Sequence, residues 1–376
     1  MRNKSVAVLD IRSSEICAAV AEKGVNGTFI IKSKFVQPYD GYAERELLDV
    51  NGFVSALQKA VGALNSSLSA PLKQIFVGVP CEFTETVVTD RVVSFRSAQR
   101  ITRRQVDYLI DNSAPSVGDG KSVIGYGVMY FVLSDKRKVL NPIGASSDSL
   151  RAKTCFFVCN DSFKDTVARA LKGFVEAKDL KWVSRDFAEG LYLIDEDKRD
   201  GYSVLLDMGY ISSTLSVISG NGIEYSEAFS IGTGHIAALL MEALEIPYDA
   251  ALALIKKVNL NSFDRDGATL EVACNGEKYS YPSAKIKSLV REGFDGGVCE
   301  AVRACLRSFP AKDLTGAPIY VTGEGVNDIR GTAEYLSKQL EAPVETVAPR
   351  IPYYDKPQYA SLFSLLNAAL GGDTVK

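Results

Sequence analysis

The fold is decided by the stretch Ser203-Val-Leu-Leu-Asp-Met-Gly-Tyr-Ile-Ser-Ser-Thr-Leu-Ser-Val217. A short apolar run ends in Asp207, Gly209 follows, and small hydroxyl side chains lead into a second apolar run. This order predicts a strand, a tight turn and a strand. An acid at a strand end can hold a metal-bound water, and a glycine beside it lets backbone N–H groups approach a phosphate. The alternative is an ordinary hairpin with an acid in its turn.

A second copy of this pattern lies near the start of the chain. In residues 5–20 an apolar run again ends in an acid, Asp10, and Ser13 and Ser14 precede another apolar run. Two such units predict a duplicated α/β architecture with a cleft between the halves. A third stretch, Ile319-Tyr-Val-Thr-Gly-Glu-Gly325, predicts a strand that enters a glycine-flanked turn before a helix. The three stretches resemble the two phosphate loops and the adenosine loop of the actin, Hsp70 and sugar-kinase superfamily.

Composition excludes several classes of protein. The chain has 376 residues, which suits two or more domains, and its formal net charge of -3 gives no electrostatic reason to expect nucleic-acid binding. No long apolar stretch predicts a transmembrane helix. The seven cysteines form no Cys-x-x-Cys pair and suit reduced, buried thiols in a cytoplasm. With His235 as the only histidine, neither a zinc site nor a Ser-His-Asp hydrolase is expected.

Residues 81–152 differ in texture from the segments around them. Thr84–Phe95 is rich in Val, Thr and Phe and predicts a β-hairpin, and Ser122–Leu133 predicts a long strand. Between them Thr102 and Gln105 form a capping box that opens a helix. This order predicts a small α+β subdomain inserted into the first half.

Alternating strands and helices predict an α/β organisation for the rest of the chain. Helices are expected from Phe53 to Leu68, from Phe163 to Phe174, from Phe187 to Ile194 and from Ile231 to Leu244. A long helix is predicted from Ser283 to about Phe309, interrupted near Gly296, followed by helices at 329–340 and 357–370. The charged segment Asp195–Asp200 predicts a hinge between the halves.

Together, the order and spacing of four motifs resemble FtsA, the actin-like bacterial cell-division family, over almost the whole chain. Asn141-Pro-Ile-Gly144 with Leu150 is similar to the family's closure of its inserted subdomain, and Ile101-Thr102 to the start of that subdomain's helix. Ile231-Gly-Thr-Gly-His-Ile236 and Val321-Thr-Gly-Glu-Gly325 are similar to two further glycine-rich stretches. The fold class implied is α/β, the duplicated actin-like fold with an inserted α+β subdomain, 1C.

The same resemblance implies four subdomains. They are 1A (1–80, 153–199 and the C-terminal helix 357–376), 1C (81–152), 2A (200–245 and 310–356) and 2B (246–309).

Both phosphate loops depart from the family pattern. Arg12 and Glu15 stand where the first loop has Gly and Lys, and Tyr210 and Ile211 replace two glycines of the second loop. Thr214 replaces the acid that closes the second loop. A Cβ in place of glycine crowds a phosphate, and the lost acid removes a metal-water ligand or a base. We expect weak or absent ATP binding and negligible turnover.

The resemblance also implies a set of nucleotide-binding positions. In the helix after Tyr248, Leu252 and Ile255 stand where the family places Glu and Lys, and a register shift would let Lys256 or Lys257 substitute. The cofactor-binding candidates are Asp10, Arg12, Ser13, Ser14, Asp207, Gly209, Ser212, Ser213, Gly232, Lys256, Gly323, Glu324 and Gly325. Asp10 and Asp207 are also candidates to hold Mg²⁺ through water, and Asp207 is the one candidate for a catalytic role.

Each of these positions has a purely structural alternative. The two acids and the four serines are also typical of turns, and Arg12 is either a solvated side chain or a replacement phosphate ligand. Gly323 and Gly325 suit a helix-entry turn as well as the approach of an adenosine. For His235, a place at a helix start or in the core is favoured over catalysis.

Three functions remain open from the sequence. The first is an FtsA-like cytoplasmic scaffold at the division site that self-associates, binds FtsZ through subdomain 2B and binds other division proteins through 1C. The second is a PilM-like platform for pilus or competence assembly, a family that lacks the Asn-Pro-Ile-Gly closure. The third is an active ATP-dependent enzyme, which needs an intact phosphate clamp.

Attachment to a membrane is expected to need a partner. Leu362, Phe363, Leu365, Leu366 and Ala369 match the family's final core helix, and the short polar segment 371–376 that follows does not suit an amphipathic anchor. We therefore expect no direct membrane anchor in this chain.

Overall fold

Two five-stranded sheets with the same topology form the two halves of the protein. The computed structural model describes residues 5–25, 28–263, 267–309, 314 and 316–371. The strands are β1 (Ser5–Ile11), β2 (Glu15–Lys23), β3 (Phe29–Pro38), β4 (Tyr42–Ala43), β5 (Glu46–Leu47), β6 (Ile75–Val79), β7 (Thr84–Arg100), β8 (Lys121–Leu133), β9 (Lys138–Val139), β10 (Ser146–Asn160), β11 (Leu180–Ser184), β12 (Ser203–Asp207), β13 (Ser213–Ser219), β14 (Gly222–Phe229), β15 (Thr269–Cys274), β16 (Glu277–Pro282), β17 (Ile319–Thr322) and β18 (Val344–Thr346). The helices are α1 (Val50–Ser66), α2 (Arg103–Asp111), α3 (Asp161–Ala170), α4 (Arg185–Leu193), α5 (Thr233–Leu244), α6 (Tyr248–Ile255), α7 (Ser283–Gly293), α8 (Glu300–Ser308), α9 (Glu324–Asp328), α10 (Thr332–Leu340) and α11 (Ala360–Ala369).

The duplication predicted from the two acid-ended strands is confirmed by the order of the strands. The first sheet runs β3-β2-β1-β6-β11 and the second runs β14-β13-β12-β17-β18. In each, three antiparallel strands form a meander and two parallel strands extend it. Asp10 pairs with Gly78 of the parallel neighbour, and Asp207 pairs with Thr322. Both acids therefore lie at the carboxyl end of the central strand of their sheet, where ligands bind in α/β folds.

Residues 84–160 form a separate four-stranded sheet, in the order β7-β10-β8-β9. Its core contains Leu109 of α2, Phe131 and Leu150, so the segment has an apolar centre of its own. The predicted capping box opens α2 at Thr102, as expected. The predicted hairpin over Thr84–Phe95 is wrong, because no Gly, Pro or Asn interrupts the run and the chain continues as one strand.

The segment rejoins the first half through a single long strand. β10 runs without interruption from Ser146 to Asn160. A boundary at residue 152 therefore falls inside a strand rather than in a loop.

Helices cover both faces of the first sheet. α1 and α3 pack on one face through residues such as Leu57 and Val167. α11 packs on the other face through Leu362, Phe363 and Leu366, which agrees with the expected core role of this helix. The core of the second half joins β12 and β17 to α5, α6 and α7. Within the described ranges, no helix is both long and apolar enough to cross a membrane.

The predicted interruption of the long helix is a π-helical turn. It spans Phe294–Cys299 and contains the Gly296-Gly297 pair, with α7 before it and α8 after it. The helix expected at 329–340 begins only at Thr332, because Gly331 adopts a left-handed conformation (φ +82°) at its N-cap. Residues 41–48 contain the small β4–β5 pair.

Candidate functional site

The first acid of the cleft is neutralised by an arginine of its own loop. Asp10 is fully buried, and its Oδ2 accepts hydrogen bonds from Arg12 Nε (2.8 Å) and from the Ser361 hydroxyl (2.7 Å). Arg12 also donates to Glu15 Oε1 at 2.8 Å. Burial disfavours the charged guanidinium, but Asp10, Cys17, Glu15 and Glu324 together outweigh this, and the pKa of Arg12 is raised. The interpretation of Arg12 as a solvated side chain is therefore wrong.

The second acid is paired with an arginine from the other half. Arg185 Nη2 lies 3.0 Å from Asp207 Oδ2, and Arg185 Nη1 donates to the carbonyl oxygen of Ile11 at 3.0 Å. Arg185 is the first residue of α4, so its side chain leaves a helix of the first half and reaches both loops. Burial raises the pKa of Asp207, and the positive charge of Arg185 opposes this increase.

Hydrogen bonds also join the two loops directly. The Ser13 hydroxyl oxygen accepts from the backbone N–H of Ile211 (3.0 Å) and of Tyr210 (3.3 Å). The N–H of Gly209 donates to the Ser213 hydroxyl at 3.3 Å. Three consecutive N–H groups of the second loop, the groups that would bind a phosphate, are thus satisfied within the protein.

A buried glutamate, Glu82, forms a further hydrogen bond between the halves. Glu82 Oε1 accepts from the Ser212 hydroxyl (2.7 Å), and Glu82 Oε2 accepts from the N–H of Arg45 (3.0 Å). Neither Glu82 nor Arg185 was a candidate from the sequence. The sequence signal for Arg185 is a charged residue between a buried strand and an apolar helix. The sequence signal for Glu82 is an acid that follows an apolar strand and a proline.

The space left between the loops is small. It is a cavity of about 20 Å³, enough for roughly one water molecule, whereas pockets for small-molecule ligands measure about 300–1,000 Å³. Of the predicted positions, the cavity wall contains Arg12, Ser13, Asp207, Gly209, Ser212, Gly323 and Glu324, and it is completed by Arg185, Pro357, Gln358 and Ser361. Burial raises the pKa of Glu324 to about 7, although Arg12 opposes this.

The other predicted positions have structural partners outside this cavity. The carbonyl oxygen of Ser14 accepts from the N–H of Tyr39, and the Ser213 hydroxyl donates to the carbonyl oxygen of Ile231. Lys256 is mostly exposed and forms an ion pair with Asp328 at 3.6 Å, so it does not reach the loops.

Three glycines allow backbone segments to approach the second loop closely. A Cβ on Gly232 would lie 2.4 Å from the carbonyl oxygens of Gly209 and Tyr210. Gly323 has φ +96°, and a Cβ there would lie 2.3 Å from Asp207 Oδ1. Gly325 donates its N–H to the carbonyl oxygen of Met208 at 2.8 Å. The helix-entry role of Gly323 is confirmed, since this residue is the N-cap of α9.

Tyr210 and His235 both stabilise the region around the start of α5. The Tyr210 hydroxyl lies 2.7 Å from that of Tyr248, and its carbonyl oxygen accepts the N–H of Gly234. His235 Nδ1 accepts from the N–H of Gly232 at 3.2 Å, which confirms the expected place of this histidine at a helix start. The bulk at position 210 therefore packs against α5 and α6.

Sequence comparison shows similarity to FtsA, the cell-division protein, from two strains of Helicobacter pylori. FtsA of Helicobacter pylori strain J99 is 22% identical over 334 residues, covering 78% of this chain and 66% of the relative. FtsA of H. pylori strain 26695 is 21% identical, covering 100% of this chain and 84% of the relative. By sequence, the chain is a distant relative of FtsA. This confirms the resemblance expressed by the motif order. No family model matches the chain.

Solved structures show the fold. A PilM–PilN type IV pilus biogenesis complex gives a TM-score of 0.62 at 12% identity, covering 97% of this chain and 98% of the other. MreB5 of Spiroplasma citri bound to AMPPNP gives 0.56 at 10% identity, with coverage of 97% and 95%. EutJ of Carboxydothermus hydrogenoformans gives 0.53 at 14% identity, with coverage of 96% and 91%. The fold is actin-like, as predicted.

The residues of the cleft do not fit the nucleotide and metal ion that this fold implies. Each acid already has a guanidinium partner, and the N–H groups of the second loop donate to serine hydroxyls. Among the described residues, no three acidic, histidine or cysteine side chains are arranged to hold a metal ion. The cavity of about 20 Å³ is far smaller than the pockets of about 300–1,000 Å³ that hold small-molecule ligands.

Proposed function

We propose that the protein is an FtsA-like scaffold of cell division that self-associates and links a ring of FtsZ to other division proteins. The sequence similarity to FtsA along the whole chain carries this proposal. An actin-like fold in which residues 84–160 form a sheet of their own supports it. The scaffold is expected to act in the cytoplasm, at the inner face of the membrane or the division site, and not to bind nucleic acid.

The cleft favours a scaffold over an enzyme. A kinase or an ATPase of this fold needs free N–H groups and a metal ion at the phosphates. Here the N–H groups of the second loop donate to a serine hydroxyl. The two acids that would hold a metal ion are paired with arginines. We propose that the nucleotide site is degenerate, with weak or absent binding of ATP and Mg²⁺.

We further propose that FtsZ binds subdomain 2B, residues 246–309, and that other division proteins bind 1C, residues 81–152. Each region has an exposed basic side chain suitable for a charge-reversal test. Lys285 lies on α7 and Arg104 lies on α2. Both side chains are exposed, so their replacement leaves the cores intact.

Co-sedimentation with polymers of FtsZ from the same bacterium tests the proposal. The wild-type protein is expected to pellet with FtsZ in the presence of GTP and to remain in the supernatant without polymers. Lys285→Glu is expected to reduce the pelleted fraction, and the matched Arg104→Glu variant to leave it unchanged. Absence of the wild-type protein from the pellet would contradict the scaffold role.

The PilM-like alternative predicts a different result. A PilM-like platform would bind a PilN-like protein of type IV pilus biogenesis and ignore FtsZ polymers. The Asn141-Pro-Ile-Gly144 turn between β9 and β10 supports the FtsA-like assignment, since the family resemblance places this closure in FtsA and not in PilM. Parallel pull-downs with both partners decide between the two assembly systems.

A further inference from the structure

We infer that Arg185 is a built-in cation that holds the cleft closed and takes the place of a divalent metal ion between the halves. The inference deepens the proposed degenerate site and rests on it. Arg185 alone would then keep the cleft closed, whether or not a nucleotide is present.

The position of Arg185 allows it to connect the two halves. Its guanidinium donates to the carbonyl oxygen of Ile11 at the end of β1 and to the carboxylate of Asp207 at the end of β12, each at 3.0 Å. The group is planar and rigid, so it fixes the relative position of both strand ends. It is buried, and it always carries its charge.

Both acids at the strand ends already have a positively charged partner from the protein. Arg12 pairs with Asp10 and also with Glu15, and Arg185 pairs with Asp207. Glu189 Oε1 lies 4.0 Å from Arg185 Nε. Burial and the nearby Asp207 raise the pKa of Glu189 well above its ordinary value, and the positive charge of Arg185 opposes this increase. A divalent cation would have to displace a guanidinium from its carboxylate.

Arg185 interacts electrostatically with two acids that each have a buried oxygen without a hydrogen bond among the described residues. Within the described part of the chain, Asp10 Oδ1 and Glu189 Oε1 accept no hydrogen bond. The electrostatic effect of Asp10, Glu189 and Asp207 favours the charged form of Arg185 in each case. Removal of the guanidinium therefore leaves three acids around one vacated volume, and hard cations prefer oxygen ligands of this kind.

The experiment compares the wild-type protein with Arg185→Gln and a matched control, Arg199→Gln. Arg199 is also buried, but it donates to the carbonyl oxygen of Gly220, away from the two loops. Thermal unfolding is followed for each variant with and without millimolar Mg²⁺ or Ca²⁺ alone. Hydrogen exchange at the amides of residues 209–211 is followed in the wild type with and without Mg·AMPPNP.

The wild-type protein is expected to show no shift in Tm with either cation and no change in exchange with Mg·AMPPNP. Arg185→Gln is expected to have a lower Tm that rises by several degrees with the cation, and the double variant with Asp207→Asn is expected to lose this response. Arg199→Gln is expected to be destabilised but insensitive to the cation. A cation-dependent Tm of the wild type, or an Arg185→Gln variant that ignores the cation, would overturn the inference.

The wild-type exchange experiment decides the matter even where Arg185→Gln does not fold. Protection of residues 209–211 by Mg·AMPPNP would show that the loops open to nucleotide and that Arg185 is not a permanent closure. The result is also separable from the scaffold proposal. Nucleotide-dependent protection leaves binding to FtsZ possible, and failure to bind FtsZ leaves the cation measurements unaffected.

Discussion

The hydroxyl oxygen of Ser13 lies 3.0 Å from the backbone nitrogen of Ile211, so the turn after the first central strand is bonded to the turn after the second. The same oxygen accepts from Tyr210 at 3.3 Å. Tyr210 and Ile211, which stand where the family pattern has glycines, thus donate their N–H groups to a contact between the halves. In the actin-like fold these turns face each other across a nucleotide. Here they face each other across a serine hydroxyl.

Replacement of Ser13 by Ala is expected to lower the free energy of unfolding by about 1–3 kcal/mol, the cost of leaving buried hydrogen-bond donors without an acceptor. Urea unfolding followed by circular dichroism measures this loss. Ser364→Ala is the control, because that buried hydroxyl donates only to the carbonyl oxygen of Ala360 in its own helix. Equal losses in the two variants would show that the bonds between the loops contribute nothing special.

Local patterns were sufficient to predict the main features of the fold. The strand, acid and hydroxyl pattern around Asp10 and Asp207 repeats within short windows of sequence and predicts a duplicated α/β architecture, and the two sheets indeed have the same topology. The interruption at Gly296 was also visible locally, because a glycine pair breaks the helical pattern. The course of β7 was not, since a run rich in Val and Thr is compatible with one long strand or with two short ones.

The contacts that close the cleft depend on residues far apart in sequence. Arg185 bonds to a residue 174 positions away, and Glu82 bonds to Ser212, 130 positions away. No spacing rule relates these positions, so these pairs could not be predicted from the sequence alone. Lys256 illustrates the converse, because its match rested on a register shift along α6 and its side chain instead reaches Asp328 on α9.

Gly323→Ala is expected to destabilise the protein by about 3 kcal/mol, because two separate costs add. The backbone at φ +96° and ψ 173° lies in a region that essentially only glycine adopts. The added Cβ would also lie 2.3 Å from Asp207 Oδ1 and 2.5 Å from the carbonyl oxygen of Met208. Differential scanning calorimetry of the purified variant measures the effect.

The matched variant for this test is Gly276→Ala in the β15–β16 turn. Gly276 has φ +82°, but no atom lies within 4 Å of the position of its Cβ. This variant carries the conformational cost alone, about 1–2 kcal/mol. A loss at Gly323 no larger than the loss at Gly276 would show that the loop around Asp207 yields easily.

Glu82→Ala is expected to lower the free energy of unfolding by about 1.5–3 kcal/mol, the range for hydrogen bonds to a charged group. The Ser212 hydroxyl and the N–H of Arg45 lose their acceptor together. Glu82→Gln keeps one carboxyl-like oxygen and is expected to lose less. Chemical denaturation of both variants provides the comparison, and a larger loss in the Gln variant would contradict this account of the contact.

Glu324 is expected to make stability depend on pH between about 4.5 and 7. Burial raises the pKa of its carboxyl from 4.5 to about 7, with smaller contributions in the same direction from Glu15, Asp207 and Asp328, and with Arg12 in opposition. Within this window the native state keeps the proton and the unfolded chain releases it. The unfolded state therefore binds fewer protons, and stability falls as the pH rises.

The contribution of Glu324 is fully present below about pH 4.5 and is lost by the time the pH has passed the folded pKa of about 7. Glu324→Gln cannot titrate, so its free energy of unfolding is expected to fall less than that of the wild type between pH 4.5 and pH 7.5. The difference is at most about 3.5 kcal/mol, since each pKa unit corresponds to about 1.4 kcal/mol. Urea unfolding at half-unit intervals of pH gives both curves. Asp186, Glu189 and Asp207 also have raised pKa values, so the wild-type slope alone is not diagnostic. Two curves that stay parallel across the window would show that Glu324 is ionised in the folded protein at all these pH values.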